Sequence, residues 1–137
     1  MRHFLIIISA VILTSCDNSN SFDKDFYEKV SHIKFPERYE VLESFDNGEW
    51  LTGTVLEIEG ASLKKFIVEN HFDTLQNINT IHFLSNSYLT RHKANFKTVH
   101  NIYFISKSVN KNNWTYIADL NDNKLWAEIS YPDWGGR

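Results

Sequence analysis

Several ingredients are scarce in this sequence, and each scarcity removes a class of protein. Cys16 is the only cysteine in 137 residues, so no intrachain disulfide can form. The five glycines and two prolines are too few for a linker, a collagen or a disordered tract. The glycines are also scattered, and none of the patterns GxGxxG, GxxxxGK[ST] or GxSxG occurs, which excludes the usual dinucleotide, P-loop and nucleophile-elbow sites. No segment repeats at a fixed period, so solenoids and propellers are excluded. Positive charge is not in excess: 14 basic residues face 17 acidic ones, the formal net charge is −3 and the pI is about 6.0. A nucleic-acid binder would carry a basic face and a high pI, and no such partner is expected.

What the chain does have is 42% apolar and 15% aromatic residues, enough for one globular unit with a substantial core. Its longest apolar run, FLIIISAVIL at residues 4–13, spans ten residues. A membrane-crossing helix needs about 20 apolar residues, so this run does not anchor the protein by itself. Arg2 precedes it and the small polar pair Thr14 and Ser15 follows, which is the three-part layout of a secretory signal.

The run leads into Leu13-Thr14-Ser15-Cys16, which resembles the lipobox of bacterial lipoproteins at all four positions. The resemblance implies that residues 1–15 are a cleaved signal peptide and that the Cys16 thiol receives a diacylglycerol. It also implies frequent acylation of the new amine and attachment of the protein to a membrane of the cell envelope. Lipidation accounts for an odd thiol in an exported chain and commits Cys16 to lipid, which excludes thiol catalysis. Loss of Arg2 with the signal takes the formal net charge from −3 to −4. Asp17 resembles the residue that retains lipoproteins in the inner membrane of enterobacteria. Other phyla sort differently, and 14 asparagines with ten lysines against four arginines point to an AT-rich genome, so inner and outer membranes both stay open.

Residues 16–21 read as the lipidated cysteine with a polar tether, and residues 22–137 as one α+β domain. Phe22, Phe26, Val30 and Ile33 form a helical stripe about a dozen residues long, ended by Pro36. Period-two patterns at residues 39–45 and 50–59 flank Asp46-Asn47-Gly48-Glu49, where Asn47-Gly48 suits a two-residue type I′ hairpin. The second of these strands changes phase, which predicts a bulge near Val55. Ser62 can cap a helix running to about Asn70, with Leu63, Phe66 and Ile67 on one face. Further strands are expected at 80–84, 101–107, 114–119 and 124–131, with turns at 110–113 and 121–123. The fold expected is an antiparallel sheet of about five to six strands, a hairpin followed by a C-terminal meander, with helices on one face.

Chemistry-bearing constellations are sparse. His3 leaves with the signal; His32, His71, His82, His92 and His100 contain no HExxH and read as solvated or hydrogen-bonding groups. A His82, His92, His100 metal site is possible on neighbouring strands but is not the preferred reading, and neither metal nor cofactor is expected. Glu43, Asp46 and Glu49 cluster at a hairpin tip, and Asp119 and Asp122 flank a turn; both sets read as surface or turn-forming carboxylates. On the last strand Leu125, Ala127, Ile129 and Tyr131 share one face, which puts Trp126, Glu128 and Ser130 on the other. An exposed Trp126 needs cover, either from the fold, with Trp134 or a helix as candidates, or from a partner. Trp126, Tyr131, Asp133 and Trp134 are therefore the candidate binding residues, of a kind that can stack on a sugar ring and bind its hydroxyls.

The overall plan resembles small envelope lipoproteins, which implies a location and no activity. No catalytic residues are assigned. The expected function is a membrane-anchored binding module for an envelope protein or a glycan. The alternatives are an inhibitor or immunity factor against an envelope-attacking enzyme, whose basic surface the acidic charge would steer, and a small hydrolase.

Overall fold

The computed structural model describes residues 22–77, 96, 98–109 and 111–131. Their elements run α1 Lys24–Ser31, β1 Glu40–Asp46, β2 Leu51–Glu57, α2 Gly60–Glu69, β3 Asp73–Thr74, β4 Ile102–Val109, β5 Asn112–Asp119 and β6 Lys124–Ser130. All six strands join one antiparallel sheet in the order β1-β2-β6-β5-β4-β3. The fold is α+β with an open sheet, a first hairpin and a C-terminal β4-β5-β6 meander. The strand expected at residues 80–84 lies outside the described residues, and the two-residue β3 is an addition that no sequence pattern announces.

Both helices lie on one face. Tyr27 of α1 and Leu63, Phe66 and Ile67 of α2 pack with Leu56, Ile105, Trp114, Tyr116, Ala118, Leu125, Ala127, Ile129 and Tyr131 from the sheet. A smaller cluster on the second face holds Val55, Ile102, Ile117, Trp126 and Leu75. The alternation along β6 is as its sequence pattern implies. The central strands are therefore covered on both sides: residues 51–56, 114–119 and 125–130 are buried without interruption.

α1 is eight residues long and ends well before Pro36. His32 adopts the left-handed conformation at φ 59 and its N–H returns to the Glu28 carbonyl. Side chains then take the backbone donors that a longer helix would use. Ser31 Oγ accepts from Ile33 N at 3.2 Å, and Glu28 Oε1 accepts from Phe35 N at 2.8 Å. Tyr27 and Ser31 are the buried residues of the helix, while Phe22, Phe26 and Val30 pack at the margin of the core. At the other end Asp23 caps the helix by accepting from Phe26 N at 3.0 Å.

The first hairpin corrects two expectations. Its loop is residues 47–50, and only Gly48 takes a positive φ, 71, whereas a type I′ turn requires it at both central residues. Asn47 contributes its side chain instead of a left-handed backbone: Oδ1 accepts from the N–H groups of Glu49, Trp50 and Leu51 at 3.0, 2.9 and 2.9 Å. The bulge lies opposite Val55, as expected, but on β1 and not in β2. Val41 faces Leu56 and Glu43 faces Val55, leaving Leu42 as the extra residue, while β2 pairs with β6 without a shift. The pattern of β2 is out of phase because both its faces are buried. Helix α2 starts at Gly60 behind Glu59, ahead of where a Ser62 cap would place it, and Ser62 Oγ instead donates to Glu59 Oε2 at 3.4 Å.

Candidate functional site

Strand register sets rows of side chains across the second face. Phe104, Ile117, Trp126 and Val55 form an apolar row across β4, β5, β6 and β2. Phe96 covers it, its ring meeting that of Trp126 edge-on at 4.8 Å and 66°. Trp126 is 5% exposed, and Phe96 is part of its cover, together with Leu75 and other side chains of the same cluster. One row further along, the chemistry changes to Ser106, Thr115, Glu128 and Gly53, and the next row is Ser108, Asn113, Ser130 and Leu51. Successive rows on one face are two residues apart, which is why an apolar row and two polar rows alternate with the helix-facing residues between them.

These polar rows line a cavity of about 330 Å³, bounded by Ser106, Lys107, Ser108, Asn113, Thr115, Glu128 and Ser130. Thr115, Glu128 and Ser130 form its floor and are buried. Gly53, paired with Glu128, has no side chain to compete for that space. The Ser106 and Thr115 hydroxyls share a hydrogen bond at 2.7 Å; either can donate, and the one that accepts keeps its own O–H for another partner. The lining therefore offers four hydroxyls, one amide and one carboxylate, with Lys107 also contributing to the lining. Such a set has the donors and acceptors that a neutral, hydroxyl-rich molecule would need.

A second, more open concavity of about 550 Å³ lies between residues 34–38 and α2. Its floor is Phe35, Pro36 and Phe66, and its walls mix Lys34, Glu37, Arg38, Glu59, Lys65 and Glu69. Lys34 Nζ is 2.7 Å from Glu28 Oε2, and Lys65 Nζ is 3.7 Å from Glu69 Oε1. With both signs interspersed and two cations engaged, this groove selects no charge.

Of the candidate binding residues, Tyr131 is buried on the helix side and its hydroxyl donates to Asp46 Oδ1 at 2.9 Å. Trp126 is buried on the opposite face, so the two do not form one surface. Asp133 and Trp134 lie outside the described residues. Asp46 does more than decorate a hairpin tip, because the same Oδ1 accepts from Gly48 N at 2.7 Å. Asp119 is buried and accepts from Asn121 N at 2.8 Å, as a turn carboxylate should. His32, His71 and His100 are exposed, whereas His82 and His92 are outside the described residues. Among the described residues no three His, Cys, Asp or Glu side chains gather as a metal-binding group, and no helix is long and apolar enough to cross a membrane.

Among the described residues, Tyr27, Tyr116 and Glu28 have displaced pKa values and belong to the framework. Burial pushes the Tyr27 phenol well above its usual range, against a hydrogen bond with Thr52 Oγ1 at 3.2 Å. Burial likewise raises Tyr116, whose hydroxyl donates to Ser31 Oγ at 2.8 Å. Burial works against ionisation of Glu28, yet the hydrogen bonds from Lys34 and Phe35 N, with the charges of Lys34 and Lys24, outweigh it and hold its carboxyl below the usual range. Neither the polar cavity nor these shifts can be read from sequence. Ser106, Thr115, Glu128 and Ser130 become neighbours only through register, although the alternation of β6 already puts Glu128 and Ser130 on the correct face. No protein-family model, curated protein or solved structure matches the chain.

Proposed function

We propose that the protein is a lipid-anchored component of the bacterial cell envelope and that its α+β domain is a binding module for envelope glycan. The observation that carries the anchor is Leu13-Thr14-Ser15-Cys16 directly after a ten-residue apolar run. The polar cavity supports the binding role, because its hydroxyls, amide and single carboxylate match the donors and acceptors of a saccharide. Intact-mass measurement on membrane-extracted protein tests the anchor: a mature chain starting at an acylated Cys16 is expected, and an unmodified thiol defeats it. Retention on insoluble envelope polysaccharide tests the ligand. It is expected to fall in Thr115→Val, which removes a hydroxyl from the floor while keeping a residue that suits a strand.

A second reading is an inhibitor or immunity factor for a basic envelope-attacking enzyme. It is favoured by β1, the outer strand of the described sheet, where Glu40, Val41, Leu42 and Glu43 are consecutively exposed. Acidic groups around an apolar pair suit a basic partner, and a net charge of −4 would speed the encounter. A basic protein retained at low salt and released at high salt, with no retention on polysaccharide, would select this reading over the first.

A further inference from the structure

Asn47-Gly48 is the one Asn-Gly pair in the chain. In an open chain this pair is chemically weak. The Gly48 nitrogen, stripped of its proton, attacks Asn47 Cγ; the N–Cγ bond forms, the Cγ–Nδ2 bond breaks, and ammonia leaves with a proton from solvent. Water then opens the resulting succinimide at either carbonyl, giving an aspartyl or isoaspartyl residue. No reagent beyond water and hydroxide is needed, and glycine offers no side chain to obstruct the approach.

In the folded hairpin the attacking nitrogen and the amide oxygen of Asn47 are both held by hydrogen bonds. The Gly48 N–H donates to Asp46 Oδ1 at 2.7 Å, so removing its proton would leave an amide anion against a carboxylate. Asn47 Oδ1 is held by three backbone donors, Glu49 N, Trp50 N and Leu51 N, within 3.0 Å, and turning the amide plane toward Gly48 N breaks them. Asn47 N itself donates to Leu51 O at 3.0 Å. Asp46 is in turn held by the buried Tyr131, whose hydroxyl donates to the same Oδ1 at 2.9 Å. We infer that Asn47 is a deamidation site gated by folding: closed while the Asp46–Tyr131 link stands, and open when the hairpin end comes apart. The deamidated forms, aspartyl or isoaspartyl at this position, then accumulate as a covalent record of opening.

The test is peptide mapping of residue 47 in the detergent-solubilised full chain in mildly alkaline buffer, with the same chain in concentrated urea as reference. At least two of these hydrogen bonds must be lost to reach the attacking geometry, so deamidation in the folded chain is expected to be slower by roughly tenfold or more. An Asp46→Ala chain that still melts cooperatively is expected to deamidate faster than the parent. A folded parent that deamidates as fast as the urea-unfolded chain, or faster, overturns the proposal. So does a folded Asp46→Ala chain that is no faster than the parent.

Discussion

Glu28 sits among Lys24, Asp25 and Lys29 on what the helical pattern gives to solvent, yet its side chain is only 9% exposed. The chain turns back after His32 and brings Phe35 N and Lys34 Nζ to the carboxylate at 2.8 and 2.7 Å. Its folded pKa is depressed, so the stability it contributes is present above the unfolded value of roughly 4.3 and is lost as pH falls through the folded one. Glu28→Gln should therefore cost about 1 to 2 kcal/mol near neutral pH, below the roughly 1.5 to 3 kcal/mol of hydrogen bonds to a charged group because much of Lys34 is in solvent. The gap between parent and variant should close as the pH drops below about 4. Urea midpoints across that range measure it, and a gap that is constant with pH would refute the charge-based account. Trp126 makes the complementary case with no charge involved. Trp126→Ala should cost roughly 3 to 5 kcal/mol and Phe96→Ala about 2 kcal/mol, with a double variant losing clearly less than the sum because each ring is part of the other's cover. Strict additivity would mean that the two rings do not pack in solution.

At the scale of elements, what the sequence shows depends on whether a segment has two unlike faces. α2 is legible because Leu63, Phe66 and Ile67 alternate with Lys64, Lys65 and Glu69, and the β6 alternation is legible for a similar reason. β2 is not, because Leu51, Val55, Leu56 and Ile58 fill both faces of a central strand and the alternation disappears. Its pattern therefore suggests an extra residue in β2, although that residue belongs to the exposed neighbour. The polar cavity is hidden for another reason: a cross-strand row such as Ser106, Thr115 and Glu128 exists only once register is set, and no local pattern encodes it. Leu42 itself has a predictable role. A bulge, with Glu40 and Glu43 beside it, twists and charges an outer strand against pairing with a second copy. Deleting Leu42 keeps Val41 opposite Leu56 and Glu43 opposite Val55, so the chain should still fold. The straighter edge should self-associate more than the parent in sedimentation at matched concentration, more so at high salt where the glutamates are screened. Equal association at all salt concentrations would show that the bulge guards nothing.

For the whole molecule, the proposed anchor lies in the sequence ahead of the first described core residue. Among the described residues the buried members of both apolar clusters start at Tyr27, with Phe22 packed against them, while the proposed attachment is at Cys16. Five residues, 17–21, intervene before Phe22, and a fully extended tether of that length reaches at most roughly 18 Å. If the domain is tethered in the way proposed, it samples only the layer next to the lipid surface and would meet a ligand presented there, and two or three acyl chains at about 0.8 kcal/mol per buried CH₂ would make the attachment effectively permanent. This division of labour predicts that location and stability are independent. Cys16→Ser should move the protein from the membrane fraction to the soluble one, or leave an uncleaved precursor, while the purified domain is expected to keep the parent's thermal midpoint. It should also keep its retention on polysaccharide when assayed in solution, because the cavity residues begin at Ser106. Fractionation followed by a melt on the same preparation decides the matter. A Cys16→Ser protein that stays with the membrane sinks the anchor, and one that leaves it but melts markedly lower shows that residues before Phe22 support the fold.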